Sequence, residues 1–171
     1  MDSEILIEIS AAPSSAASDV TSTTKPGPAA DMTKTEQSKV PGPVCVVDDD
    51  DWVCDSLCVL LETYGFSVRT YPSGAAFLKD DRRLDAKFLI VDQHMPGLDG
   101  LDVVAELHRQ EIFLPTILIT GRLDAGIALR AREFGVLALL EKPFPVARLV
   151  ELVRGALGLH APGPHARGPH D

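Results

Sequence analysis

Apolar and polar positions alternate in two distinct ways between residues 43 and 158. Short apolar runs are followed by longer segments in which apolar residues recur every three or four positions. The short runs are typical of buried strands, and the longer repeat is typical of helices with one apolar face. The runs predict strands at residues 44–47, 66–71, 88–91, 116–119 and 136–140. The repeats predict helices at residues 51–64, 73–78, 100–110, 124–134 and 145–157.

Strands that alternate regularly with helices predict a parallel sheet, because a helix is the usual connection between two parallel strands. Right-handed connections place helices on both faces of such a sheet. We therefore predict an α/β fold, with a flavodoxin-like doubly wound five-stranded parallel sheet and helices on both faces. With the strands numbered along the chain, the expected order is 2-1-3-4-5. A ligand is expected at the carboxyl ends of the first and third strands.

The composition changes at both ends of this alternating region. Residues 1–42 are rich in Ala, Ser, Thr, Pro and Gly, so we predict a disordered N-terminal arm. Ile5, Ile7 and Ile9 alternate near its start, where a frayed end is favoured over a short strand or a partner-binding segment. Residues 159–171 are rich in Gly, Pro and His and are predicted to form a disordered tail. The expected folded domain is residues 43–158.

The charge and hydropathy of the chain argue against several classes of function. The 171-residue chain has a formal net charge of -9, which argues against a nucleic-acid-binding surface, since such a surface is basic. No apolar stretch reaches the roughly 18 residues that span a bilayer, and the acidic N-terminus does not resemble a signal peptide. The three cysteines lack the spacing of a disulfide framework or a metal finger. These features predict a soluble, cytoplasmic protein with no nucleic-acid or membrane partner.

Polar residues with reactive side chains stand where the predicted strands end. Asp48 and Asp49 follow the first strand, and Asp92 follows the third. Thr120 follows the fourth strand, and Lys142 comes shortly after the fifth. Because the carboxyl ends of parallel strands meet at one edge of the sheet, we expect these carboxylates, the hydroxyl and the amine to lie close together.

This set of side chains favours phosphoryl chemistry. Grouped carboxylates are hard oxygen ligands for Mg²⁺, and the metal together with a Lys ammonium can neutralise charge on a transferring phosphoryl group. A carboxylate in such a site can be the nucleophile and form an aspartyl phosphate. The adjacent Asp50 and Asp51 are predicted instead to cap and begin the next helix.

At these positions the chain resembles the receiver domains of two-component response regulators, especially those of nitrogen-fixation and nitrate-type regulators. The resemblance covers residues 43 to about 157 and is carried by residues 46–49, 89–100, 117–121 and 141–144. Its most specific part is the stretch DQHMPGLDG at residues 92–100. It implies a receiver that takes a phosphoryl group from a sensor histidine kinase or a histidine phosphotransfer protein, with Mg²⁺ as cofactor.

The resemblance assigns roles to individual residues. It implies that Asp92 is the phosphoacceptor. It also implies that Asp48 and Asp49 hold Mg²⁺, with Asp92 and the main-chain carbonyl of His94 as further ligands. In this family the side chain at the position of His94 also lines the mouth of the site and tunes the lifetime of the aspartyl phosphate.

Four further residues take their expected roles from the same resemblance. Lys142 is expected to pair with the acceptor and then with the phosphoryl group, and the peptide bond after it is expected to be cis. Thr120 is expected to bond a phosphoryl oxygen and to move inward. Arg122 takes the second modulating position at the mouth of the site. Leu139 stands where many receivers have a switch Tyr or Phe, so a smaller rearrangement is expected here.

The resemblance implies a signalling protein and not an enzyme, apart from self-catalysed phosphotransfer and autodephosphorylation. Because no output domain follows the fifth helix, we expect a stand-alone receiver that acts through a downstream protein. The fourth helix, fifth strand and fifth helix form the expected contact face, which is also a candidate phosphorylation-dependent dimer surface. Two alternatives stay open. One is a phosphatase of the haloacid-dehalogenase type, and the other is a degenerate receiver that only binds proteins.

Overall fold

The computed structural model describes residues 7–8 and 42–159, which form a six-stranded sheet with helices on both faces. The strands are β1 (Ile7–Glu8), β2 (Val44–Val47), β3 (Val68–Tyr71), β4 (Phe88–Asp92), β5 (Thr116–Thr120) and β6 (Ala138–Glu141). The helices are α1 (Asp51–Thr63), α2 (Gly74–Lys79), α3 (Gly100–Arg109), α4 (Ala125–Glu133) and α5 (Val146–Ala156), with a short 3-10 helix at Asp81–Asp85.

The sheet has the predicted doubly wound order. Five strands lie side by side in the order β3-β2-β4-β5-β6, and each neighbouring pair is parallel. This is the order 2-1-3-4-5 when the five predicted strands are numbered along the chain, so the predicted α/β fold is confirmed. The sixth strand, β1, is an addition that pairs antiparallel with the outer edge of β6.

β1 corrects the prediction for the N-terminal segment at two residues. We predicted a disordered arm over residues 1–42, with a frayed end near Ile7, but Ile7–Glu8 form a strand. The physical reason is the outer edge of β6, where backbone groups without a neighbour would accept a further strand. The rest of the arm, residues 1–6 and 9–41, and the predicted tail from residue 160 onward lie outside the described residues.

Two strands begin later than predicted because the preceding helix ends through a glycine turn. Gly65 and Gly135 have φ of +87° and +62°, a conformation that glycine adopts without strain. The N–H groups of the residues that follow, Phe66 and Val136, donate back to helix carbonyl oxygens at 3.1 and 2.9 Å. Both side chains are buried, which explains their strand-like appearance in the sequence, but their backbones belong to helix ends.

Side chains cap the N-termini of four helices. Asp50, Ser73, Asp99 and Asp124 accept hydrogen bonds from main-chain N–H groups in the first turns of α1, α2, α3 and α4. The capping role predicted for Asp50 is confirmed by its bond from the Trp52 N–H at 2.9 Å. Among the described helices, none is long and apolar enough to cross a membrane.

Two apolar layers cover the sheet, one on each face. Alternate strand residues point to opposite faces, so Val44 and Val46 of β2 pack with α1 and α5, while Cys45 and Val47 pack with α2, α3 and α4. Burial of each large apolar side chain contributes about 1.5–3 kcal/mol to folding. The two layers fix the sheet so that the carboxyl ends of β2, β4 and β5 meet at one edge.

Candidate functional site

The sheet register brings the two buried carboxylates of the site side by side. In β2 and β4, Val47 is the partner of Val91, so Asp48 and Asp92 leave neighbouring strands at the same level. Asp48 is 3% exposed and Asp92 is 5% exposed. Buried carboxylates are uncommon unless they are paired or bind a cation. The edge predicted from the sequence is therefore a site in which two negative charges share a small volume.

Lys142 links these two carboxylates. It follows β6, and its Nζ lies 2.8 Å from Oδ1 of Asp92 and 3.2 Å from Oδ2 of Asp48. The peptide bond from Lys142 to Pro143 is cis, as the resemblance implied. One ammonium group therefore serves two carboxylates that come from different strands.

The pKa values of Asp48 and Lys142 are both raised. Burial raises the pKa of Asp48, and the charge of Asp92 adds to this, against the lowering effect of the Asp50 N–H and of Lys142. Burial alone would lower the pKa of Lys142, but its hydrogen bonds and charge interactions with Asp92 and Asp48 outweigh that effect. Lys142 is thus held in its charged form between the two acids.

The second oxygen of Asp92 is bound by the loop that follows β4. The main-chain N–H of His94 donates to Oδ2 of Asp92 at 2.7 Å. Gln93, which is buried, holds this loop: its N–H donates to Ile119 O at 2.7 Å and its side-chain Oε1 accepts from Leu101 N at 3.2 Å. The sequence analysis gave Gln93 no role, and its neighbours Asp92 and His94 are also polar, so no local signal marks it as a loop anchor.

Gly100 allows α3 to begin directly against the acceptor strand. A Cβ at this position would lie 2.6 Å from the main-chain oxygen of Asp92 and 2.6 Å from Cδ1 of Leu118. Both distances are far below ordinary contact distances, so only glycine fits without a shift. The glycine requirement therefore comes from the close approach of the helix to Asp92.

The hydroxyl of Thr120 is turned toward the loop that follows β5. It donates to the main-chain oxygen of Arg122 at 2.7 Å and accepts from the Arg122 N–H at 3.2 Å. Nδ1 of His94 lies 3.3 Å from the same hydroxyl. Thr120 is fully buried, whereas His94 and Arg122, which contact its hydroxyl, are exposed.

Asp49 lies outside the contacts that join the other acids. It is exposed, whereas Oδ1 of Asp48 accepts from the Asp50 N–H at 2.9 Å and turns into the site. Within residues 7–8 and 42–159, no three His, Cys, Asp or Glu side chains form a ready-made metal-binding group. The structure thus brings together Asp48, Asp92 and Lys142, with Thr120 and His94 beside them.

Two further residues have surroundings that the sequence did not indicate. Leu139 is buried in the apolar layer that contains α4, where it packs as an ordinary core residue. Glu141, which has no predicted role, accepts a hydrogen bond from the Leu123 N–H at 3.0 Å. This bond joins the end of β6 to the loop that leads into α4.

Comparison with known proteins identifies this arrangement. Residues 44–154 match the response regulator receiver domain family. The chain belongs to this family. Receiver domains are signalling proteins of two-component systems that accept phosphoryl groups from histidine kinases, and they are generally not classical enzymes.

Individual relatives agree with this assignment. The chain is 40% identical over 119 residues to the transcriptional regulatory protein FixJ of Azorhizobium caulinodans, an alignment that covers 70% of this chain and 56% of FixJ. It is 37% identical over 121 residues to the C4-dicarboxylate transport transcriptional regulatory protein DctD of Pseudomonas aeruginosa, covering 67% of this chain and 25% of DctD. The solved structure of FixJ-N is 31% identical with a TM-score of 0.62, covering 71% of this chain and 97% of that one.

The match is to the receiver portion of these regulators. The chain spans just over half the length of FixJ and a quarter of the length of DctD. What the longer relatives do through their remaining parts therefore does not transfer directly to this chain. The predicted resemblance to nitrogen-fixation-type receivers is confirmed.

Proposed function

We propose that Asp92 is the phosphoacceptor of a two-component relay and takes a phosphoryl group from a sensor histidine kinase or a histidine phosphotransfer protein. The observation that supports this most directly is the buried Asp92 carboxylate, with one oxygen on Lys142 and the other on the His94 N–H. A carboxylate so oriented is a positioned nucleophile. In the transfer, an Asp92 oxygen bonds to phosphorus while the P–N bond of the donor phosphohistidine breaks and its imidazole nitrogen leaves.

Lys142 and Thr120 serve the phosphoryl group in this proposal. The Lys142 ammonium stabilises negative charge on the phosphoryl oxygens, because it is already fixed beside Asp92 before transfer. The Thr120 hydroxyl exchanges its bond to the Arg122 carbonyl for one to a phosphoryl oxygen. That exchange moves the loop after β5 and changes the surface near α4. Leu139 is smaller than an aromatic switch residue, so the accompanying rearrangement of β6 is small.

The charge balance of the site favours a divalent cation. Asp48 and Asp92 together carry more negative charge than the single Lys142 ammonium neutralises, and a phosphoryl group adds further negative charge. The carboxylates of the site offer oxygen donors, which suit Mg²⁺, an ion that takes a few protein ligands and completes its shell with water. Asp48, Asp49, Asp92 and the main-chain carbonyl of His94 are the proposed ligands. When bound, Mg²⁺ neutralises charge on the transferring phosphoryl group.

The proposed output is a protein contact. A downstream protein, or a second copy in a phosphorylation-dependent dimer, docks on the face formed by α4, β6 and α5. The link from Glu141 to Leu123 supports this choice, because it connects β6 to the loop that Thr120 would move. The proposed location is the cytoplasm, where a histidine kinase presents its phosphohistidine.

Labelling with radioactive acetyl phosphate and Mg²⁺ tests the phosphoacceptor assignment. We expect the full chain to incorporate one phosphoryl group and then stop, and the Asp92→Asn variant to incorporate none. Asp55→Asn is the matched control, because Asp55 is an exposed carboxylate on α1, and it should label like the wild type. The adduct should also show the alkali lability of an acyl phosphate.

Other outcomes would reassign the function. Labelling that persists in Asp92→Asn would move the acceptor to another residue. Absence of labelling in a folded wild type, both with acetyl phosphate and with a phosphorylated kinase, would favour a receiver that only binds proteins. Multiple turnover on phosphomonoesters that requires Asp48 but not Asp92 is the result expected of a phosphatase, an alternative that the family assignment does not support.

A further inference from the structure

The outer edge of the sheet is closed by the chain itself. β1 pairs antiparallel with β6, with Ile7 opposite Leu139 and Glu8 opposite Ala138. In the described sheet every other neighbouring pair is parallel, and β6 is the last of the parallel strands. Without β1, the outer backbone groups of β6 would have no strand beside them. An edge of that kind is a template for pairing with another chain.

β6 carries little of its own protection against such pairing. Its first three residues, Ala138, Leu139 and Leu140, are buried and apolar, and no Pro or Lys interrupts the strand. Natural sheets protect edges with charged residues, prolines, bulges or a very short covering strand. Of these devices, β6 itself has its short length and the exposed Glu141 at its carboxyl end, and β1 pairs with Ala138 and Leu139 in the apolar part of the strand.

The connection between β1 and β2 is long compared with the distance it must cross. β1 lies four strand spacings from β2, which is about 19 Å at the usual spacing between strands. Residues 9–43, if fully extended, would span on the order of 100 Å. Chain length therefore does not prevent β1 from reaching the edge of its own sheet, and attachment to the same chain gives it an effective concentration on the order of millimolar.

We propose that the outer edge of β6 is a strand-docking surface, that residues 7–8 of the same chain are its resident occupant, and that this occupant keeps β6 from pairing with β6 of a second copy. Pairing of two identical edges in antiparallel fashion would give a two-fold symmetric dimer with a continuous sheet. A strand of two residues makes few hydrogen bonds, so it is held weakly and can be displaced. The proposal does not depend on the phosphoacceptor function.

Proline substitutions in the N-terminal segment test this proposal on the full, unphosphorylated chain. The variant Ile7→Pro/Glu8→Pro removes both N–H donors of β1 and leaves the folded domain unchanged. The matched control Ser14→Pro/Ser15→Pro places two prolines elsewhere in the same segment. We expect sedimentation equilibrium to give a dimer dissociation constant at least tenfold lower for Ile7→Pro/Glu8→Pro, and a wild-type value for the control.

Hydrogen exchange supplies a second readout. At concentrations where both proteins are monomeric, the amides of β6 that point away from β5 should exchange at least tenfold faster in Ile7→Pro/Glu8→Pro than in the wild type. A synthetic peptide of residues 1–12 should restore both the slow exchange and the wild-type dissociation constant. The same peptide with the two prolines should do neither.

Three results would overturn the proposal. The first is equal exchange in the variant and the wild type, which means that β1 does not cover β6. The second is equal dissociation constants, which means that the covered edge does not self-associate. The third is weaker association in the variant, which would make β1 part of a dimer contact between copies and not a barrier to it.

Discussion

Nζ of Lys142 lies 2.8 Å from Oδ1 of Asp92, although 50 residues separate the two in the sequence. The same ammonium contacts Asp48 at 3.2 Å. These two contacts join β2, β4 and the segment after β6 at one point. The lysine therefore has a structural task before any phosphoryl group arrives, since it offsets the repulsion between two buried carboxylates.

Removal of this lysine is expected to destabilise the fold. Lys142→Met leaves Asp48 and Asp92 buried without their shared cation, and we expect the free energy of unfolding at pH 7 to fall by about 1–3 kcal/mol. Urea denaturation in the absence of Mg²⁺ measures this. Lys79→Met, at an exposed lysine of α2, is the control and should change stability by less than about 0.5 kcal/mol. In an Asp48→Asn background the loss should be smaller, because one of the two charges is gone. Equal losses for the two lysine variants would contradict this account.

Measurements of Mg²⁺ affinity can distinguish the ligands proposed to bind through a side chain from the one proposed to bind through its main-chain carbonyl. Trp52 is the single tryptophan, is 82% exposed and lies in the first turn of α1 beside the acidic run, so its fluorescence can report binding. We expect Asp48→Asn and Asp49→Asn each to weaken Mg²⁺ binding by roughly tenfold or more. His94→Ala should retain the wild-type affinity, because its proposed ligand is the carbonyl oxygen. A loss in His94→Ala as large as that in Asp49→Asn would instead implicate the imidazole.

The close approach of α3 to Asp92 predicts a sharp difference between two glycines. Gly100→Ala forces a methyl group against the Asp92 carbonyl and the Leu118 side chain, and we expect a destabilisation of about 1–3 kcal/mol. Phosphorylation of Asp92 should slow as well, since the backbone that positions its carboxylate must shift. Gly155→Ala in α5 meets no atom within 4 Å and should stabilise the protein by about 0.5–1 kcal/mol. Chemical denaturation of both variants measures the contrast, and a neutral Gly100→Ala would refute the packing argument.

A pH-dependent contribution to stability is expected away from the site. The Arg82 side chain and N–H hold the pKa of Asp80 down at about 2, from an ordinary value of 3.8, and Tyr71 donates to the same carboxylate at 3.1 Å. Because the folded-state pKa is lowered, this stabilisation is present above pH 4 and is lost as the pH falls toward 2. The melting temperature of Asp80→Asn should therefore lie below that of the wild type at pH 7, and the two should converge between pH 4 and 2. The melting temperature of Arg82→Met should converge with that of the wild type over the same pH range. A difference in melting temperature that stays constant with pH would exclude the charge effect.

Most of the fold could be predicted because it depends on local pattern. β2, β4 and β5 are buried on both faces, so nearly every residue in them is apolar, and their positions were visible in the sequence. Each of these strands ends at or just before a polar residue, namely Asp48, Asp92 or Thr120. Because parallel strands end at a common edge of the sheet, these residues predicted where the candidate site lies. The side chain of Lys142 reached this edge as predicted.

The parts that were missed depend on long-range pairing or on side-chain torsion angles. β1 exists through its pairing with β6, about 130 residues away. The alternation of Ile5, Ile7 and Ile9 left a short strand as one alternative, but it did not indicate the partner strand that decides between a strand and a frayed end. The 3-10 helix at Asp81–Asp85 depends on the bonds of Asp80 to Arg82. Side-chain torsion angles are not determined by residue type. They turn the Thr120 hydroxyl toward Arg122 and leave Asp49 exposed.

β6 is held at two places, at its carboxyl end by the contacts of Glu141 and Lys142 and along its outer edge by β1. If β1 binds its edge with different affinity in the two states of Asp92, the equilibrium constant for modifying Asp92 must differ by the same factor between chains with and without β1 docked. The short strand β1 at the edge of the sheet would then also influence how readily Asp92, the proposed phosphoacceptor on β4, is modified.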